Sequence, residues 1–147
     1  MQPHQLVGTW KPLFYEARFS DGRVDYPWGR DAEGLLIYSA DGYMIATFCS
    51  ANRPRFASDD LARADPNEYA QAARTYASYG GSYELQGNKL IHHVLVSLFP
   101  NWVGQPQIRV IEHLQGDHLT LATEPMTFAG QSAQGFFHWK RAEEAGR

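Results

Sequence analysis

Ser82-Tyr83-Glu84-Leu85-Gln86-Gly87-Asn88-Lys89-Leu90-Ile91-His92-His93-Val94-Leu95-Val96 is the stretch on which the fold turns. Apolar segments flank a Gly87-Asn88 pair, and a two-residue hairpin turn needs the positive φ that Gly and Asn tolerate. The segment therefore reads as a β-hairpin. The same signature recurs on both sides of it. Asp41-Gly42 joins Leu35-Leu36-Ile37-Tyr38 to Tyr43-Met44-Ile45-Ala46-Thr47-Phe48, and Gly116-Asp117 joins the run 108–114 to Leu119-Thr120-Leu121-Ala122. Two more strands, at 8–16 and 135–141, bring the total to about eight, the number at which a closed sheet encloses side chains or one small ligand. The fold class is all-β, an antiparallel up-and-down barrel. Pro12 has no amide proton to give a ladder, which predicts a bend or bulge in the first strand.

One segment departs from the β pattern. Tyr69, Ala72, Ala73, Tyr76 and Ala77 recur at helical spacing, opened by Asp65-Pro66-Asn67-Glu68 and followed by Gly80-Gly81. Asp65 as N-cap, Pro66 at the first helical position and Glu68 completing a capping box predict one α-helix near 66–79, with its Tyr/Ala stripe as a packing face across one barrel mouth. The stretch 20–33, with Tyr26-Pro27-Trp28-Gly29, is too long for a tight turn and has the character of an ordered functional loop. A single domain over 1–141 is expected, with a frayed tail at 142–147.

Composition narrows the function. Thirteen Lys and Arg against sixteen Asp and Glu give a net charge of −3, and neither sign forms a run. That excludes the basic footprint of a nucleic-acid binder. The start of the chain, Met1-Gln2-Pro3-His4-Gln5, has neither the basic nor the apolar region of a signal peptide, and no apolar run is long enough to span a bilayer. A cytoplasmic protein is expected, one that does not associate with a membrane. The lone Cys49 cannot form an intramolecular disulfide and reads as a small strand residue. Eight Phe, eight Tyr and four Trp are many for a chain of 147 residues. Phe suits a dry core, whereas the polar tips of Tyr and Trp need partners, so the excess points to a half-wet cavity.

Three groups could do chemistry there. His92 and His93 are adjacent on a strand, so one faces the interior and the other faces out; the inward imidazole is a candidate acid or base, or a hydrogen-bonded core histidine. Arg109 shares a strand face with Ile111 and His113, while Ile108, Val110, Glu112 and Leu114 share the other, and alternation leaves its direction open. An inward Arg109 would call for an anionic oxygen on the ligand. Asn101 and Trp102 follow Phe99-Pro100 on a loop that rims a mouth. The remaining ligand-lining candidates are Trp28, Tyr38, Tyr43, Tyr76, Tyr83 and Phe99. The six histidines show no metal-ligand spacing, so no metal or other cofactor, haem included, is predicted.

These residues together resemble the bacterial and fungal lipocalin-like domain family, a cytoplasmic, calycin-like group of barrels. The resemblance is carried by Leu6-Val7-Gly8-Thr9-Trp10, Tyr26-Pro27-Trp28-Gly29, Gly34-Leu35-Leu36-Ile37-Tyr38, Asp41-Gly42-Tyr43-Met44 and Tyr79-Gly80-Gly81-Ser82-Tyr83. It continues through His92-His93-Val94, Pro100-Asn101-Trp102-Val103-Gly104, Arg109, Gly116-Asp117-His118-Leu119 and Trp139-Lys140-Arg141. It implies a closing contact between Trp10 and Arg141. The family pattern often has a carboxylate where this chain has Leu95. The expected function is binding, in the barrel pocket, of a flat or polycyclic, largely apolar or aromatic molecule with one or two oxygens. The alternative is a cofactor-independent isomerase or cyclase of secondary metabolism, in which a histidine moves a proton and Arg109 steadies an oxyanion. The expected partner is that small molecule, with a homodimer as a further possibility.

Overall fold

The structure is a computed structural model and describes residues 2–146. Its strands, in chain order, are β1 (Gly8–Phe19), β2 (Val24–Asp25), β3 (Glu33–Tyr38), β4 (Tyr43–Cys49), β5 (Tyr76–Gln86), β6 (Lys89–Ser97), β7 (Pro106–Gln115), β8 (His118–Thr123), β9 (Met126–Phe128) and β10 (Gln131–Arg141). Eight of them run as an antiparallel meander in the order β1-β3-β4-β5-β6-β7-β8-β10, and β10 returns to β1 and closes the barrel. The short strands β2 and β9 extend the ladder beside β1 and β10. The turns at Gly42, Gly87 and Gly116 fall where the sequence places them, each glycine at positive φ.

Among the described residues the register slips at three places in the ladders, between β5 and β6 after Gly80 and in β1 and β7, and the last two bear on which residues face inward. In β1 the register slips between Pro12 and Phe14 against β10, the irregularity expected of a proline in a ladder. In β7 it slips between Ile111 and His113. A bulge adds one residue and so exchanges the faces beyond it. Ile111 is buried, yet Leu114 rather than His113 packs toward the core past the bulge. Strict alternation had placed Ile111 and His113 together.

One end of the barrel is shut by Leu6 and Trp10, both fully buried, with the Trp10 indole donating to the Leu6 carbonyl at 2.9 Å. The Arg141 guanidinium lies 4.1 Å from the centre of the Trp10 ring and donates to the carbonyls of Val7 and Gln5. The closing contact implied by the resemblance is therefore present.

The helix α1 (Pro66–Arg74) is capped as the sequence predicts: Asp65 accepts from the amides of Asn67 and Glu68, and Glu68 accepts from the Asp65 amide. It ends well before Gly80-Gly81. Tyr76 and Ala77 open β5 instead, pairing with Cys49 and Phe48. No helix residue is buried, and Tyr69 meets Phe56 edge-on rather than the barrel. The stripe predicted to pack the helix on the barrel is thus divided between an exposed helix and a strand. In the 20–33 stretch, Tyr26 rests on Phe14 and Trp28 on Phe48, which ties the loop to the barrel wall. The end of the chain is coil from Ala142 to Gly146, while Met1 and Arg147 of the expected 1–141 domain and 142–147 tail lie outside the described residues. Among the described residues no helix is long and apolar enough to cross a membrane.

Candidate functional site

Strand β6 places Leu90, His92 and Val94 on one buried face, with His93 and Leu95 on the other. His92 is the inward histidine, 2% exposed. Its Nδ1 is 2.6 Å from the Tyr79 hydroxyl and its Nε2 is 2.8 Å from the Tyr38 hydroxyl. A neutral imidazole has one donor and one acceptor nitrogen, so one hydroxyl donates to the ring and the other accepts from it. Burial above all, with help from the Arg109 and His93 charges, holds His92 well below the usual histidine range and keeps it neutral. Burial likewise pushes both phenols up, Tyr38 strongly, against the opposing pull of Arg109. The three rings form a neutral hydrogen-bonded chain through the barrel wall.

Beside this chain is a cavity of about 70 Å³, counted as the space open to the centres of water molecules. That is several times the roughly 10–15 Å³ a single water needs. Tyr79, His92 and Arg109 supply much of its polar lining, and Leu36, Phe48, Leu121, Phe137 and Trp139 most of its apolar wall. Ala46 and Ala77 on the neighbouring strands β4 and β5 leave the space that larger residues would fill. Ser78 and Trp102, both only partly buried, stand at its more accessible side.

Arg109 thus faces the cavity. Its Nη1 donates to the Ile108 carbonyl at 3.0 Å, and its guanidinium lies 5.5 Å from the centre of the Phe137 ring. Among the described residues no carboxylate comes within 4.0 Å of it. Trp139 is nearly fully buried, and its Nε1 is the one buried side-chain polar atom without a partner among the described residues. A buried donor left unpaired costs about 1–3 kcal/mol, so both groups are suited to a guest that brings an acceptor.

Of the residues singled out in the sequence, the structure brings His92, Arg109 and Trp102 to the cavity. Tyr38 stands behind His92, and Tyr83 backs Tyr38 edge-on with its hydroxyl bound to the Ser39 carbonyl. Phe99 stacks on Trp102 and Trp28 meets Phe48 edge-on, so both support lining residues without lining the space themselves. Four lie elsewhere. His93 pairs with Glu84 on the outer surface, Tyr43 is 57% exposed, Tyr76 carries the Arg53 guanidinium, and Asn101 is exposed. Leu95, where the family pattern often has an acid, is outside as well, so that departure leaves the cavity unchanged.

The sequence reading passed over Tyr79, Phe137 and Trp139. On β10 the signal was available: Phe137 and Trp139 share one parity, while the polar His138 and Lys140 occupy the other. For Tyr79 it was masked by the helical spacing of Tyr69, Tyr76 and their alanines.

Comparison with known proteins adds two findings. A family model described as a lipocalin-like domain matches residues 7–142. The chain is also 30% identical over 107 residues to the 4'-hydroxy-3'-methoxypropiophenone carrier protein of Aspergillus oryzae, a match taking in 67% of this chain and 96% of that one.

Proposed function

The chain belongs to the lipocalin-like domain family, and from that premise we propose that it is a binding protein for a small aromatic molecule bearing a polar oxygen. The observation that carries the reading is the cavity itself: an aromatic and aliphatic wall that includes Trp139, with Arg109 facing the space and, among the described residues, no carboxylate beside it. Apolar enclosure supplies affinity at roughly 25 cal/mol per Å² buried, and a few polar groups fix orientation. A space of about 70 Å³ is less than half the roughly 150 Å³ of an engineered cavity that holds benzene, so a one-ring guest would extend past the side marked by Ser78 and Trp102, and a fused polycycle fits less well. The Aspergillus relative, a carrier by name for an aryl ketone that is also a phenol, supports the same class of guest.

Proton-transfer chemistry has less behind it. Both nitrogens of His92 are already engaged by tyrosine hydroxyls, and burial lowers its basicity. The ring is arranged to hold Tyr79 and Tyr38 in place rather than to take a proton from a guest.

Native mass spectrometry of protein purified gently from its host tests whether a small molecule travels with it. Titration of the purified protein with 4-hydroxy-3-methoxypropiophenone, followed by tryptophan fluorescence, tests the pocket directly. Ala46→Leu fills the cavity with apolar volume. It should weaken binding by about tenfold or more, roughly 1.4 kcal/mol, while the barrel stays folded. Saturable binding unaffected by Ala46→Leu would place the guest elsewhere.

A further inference from the structure

We propose that the cavity selects the ionised form of its guest, taking a phenol or enol as the oxyanion with Arg109 as counter-charge and the Trp139 indole N–H as a neutral donor beside it. The inference rests on the binding reading above and specifies the charge state that the site prefers.

Arg109 remains protonated at any pH a protein meets, and as a part-buried cation it gains from an anion brought to its cavity side. The structure gives it one backbone carbonyl and a ring face, and no carboxylate within salt-bridge distance among the described residues. No Asp or Glu lines the cavity. His92 is held neutral and offers no second charge. The indole N–H of Trp139 can only donate, and it has nothing to donate to. Arg109 is therefore the charged group on a largely apolar lining, where a fixed charge acts more strongly than it would in water.

Burial alone would oppose this, because it favours the neutral phenol. It prevails at Tyr38 and Tyr79, whose ionisation is pushed up although Arg109 pulls it down. Those two hydroxyls, however, are bonded to the ring of His92 and not to the guanidinium. A guest oxygen occupying the cavity has no such competing partner. It can accept charge-assisted hydrogen bonds from Arg109, which stabilise the ionised form directly.

The test uses 4-hydroxy-3-methoxypropiophenone, whose phenolate absorbs at longer wavelength than its phenol, and its O-methyl ether as a guest that cannot ionise. Absorbance is titrated against pH with the compound free and with it bound to the intact protein. The bound phenol should ionise at least about one pH unit below the free compound, equivalent to about tenfold tighter binding of phenolate than of phenol. Binding of the phenol should tighten as pH rises through its ionisation, and binding of the methyl ether should not. Arg109→Gln should abolish the downward shift, and Arg109→Lys, which keeps the charge, should retain part of it. Saturable binding with the phenol ionising at or above its free value overturns the proposal while leaving the binding function intact, and the wild-type protein alone decides this. Retention of the full shift in Arg109→Gln overturns the role of Arg109. Failure of both compounds to bind overturns the binding reading and this inference together.

Discussion

His92 sits where an imidazolium would have neither water nor an anion, so burial favours the neutral ring that the two tyrosine hydroxyls hold in place. This has a consequence for stability. The folded protein binds a proton at His92 less readily than the unfolded chain, whose histidine titrates near 6.5. Stability from this group is therefore complete above about pH 6.5 and declines as pH falls below it, by up to roughly 1.4 kcal/mol per unit, until the folded-state value is reached. Glu16 acts in a different window. Burial works against its carboxylate, but hydrogen bonds from Arg18 and His138 outweigh burial and hold it below the usual range, so its contribution fades only in more acidic solution. Urea denaturation between pH 7.5 and 5 should show the first decline in the wild type and lose much of it in His92→Gln, whose amide does not titrate in this range. An equal slope in the two proteins would remove His92 from the account. Little at this scale was legible beforehand. The even positions of β6, Leu90, His92 and Val94, are apolar apart from the histidine, whereas Lys89 and His93 mark the odd face as wet. Ile91 and Leu95 on that odd face blurred the contrast. The direction of Arg109 was open in the sequence because each face of its strand mixes polar with apolar residues, and the bulge after Ile111 that exchanges them leaves no local signal.

Strands β5 and β6 show how local geometry overrides pattern. A Cβ at Gly81 would come within 1.8 Å of the His93 carbonyl oxygen, at the point where the register between these strands slips after Gly80. The collision is with backbone and cannot be relieved by a rotamer change. Gly87, by contrast, has open space around its Cβ position and only its φ of +63° to defend. Gly81→Ala should destabilise by about 3 kcal/mol or more, or fail to fold, whereas Gly87→Ala should cost only about 1–2 kcal/mol of turn strain. Thermal melts of the two variants would distinguish the effects, and similar losses would refute the difference between collision and strain. Hairpins were legible because their turns need particular residues at particular places. The start of β5 was not, because Tyr76 and Ala77 satisfy a helical period and a strand pairing equally well, and pairing with β4 is a long-range interaction that local spacing does not record.

As a whole the barrel depends on its last strand finding its first. Nine residues of β1 meet β10 across the bulge at Pro12, and the seam ends at Arg141, which spans Trp10 and the carbonyls of Val7 and Gln5. Arg141→Ala removes a ring contact and two charge-assisted hydrogen bonds. It should destabilise the whole domain by about 2–4 kcal/mol in one cooperative transition, checked by denaturation with two independent probes. A loss below about 0.5 kcal/mol would make the contact an ornament of a seam held by backbone pairing alone. This closure was legible from the succession of hairpins, since an even meander of amphipathic strands is stable only if its edges meet. The interior it creates was legible only as an excess of aromatic residues. The central claim is that the space beside His92 receives an aromatic guest, and the indole N–H resonances of Trp10, Trp28, Trp102 and Trp139 report on it directly. In a nitrogen-proton correlation spectrum recorded while 4-hydroxy-3-methoxypropiophenone is added, the Trp139 signal should move downfield as its N–H gains an acceptor, Trp102 should follow, and Trp10 at the closed end should stay in place. Saturable binding that leaves Trp139 and Trp102 unmoved would contradict the account.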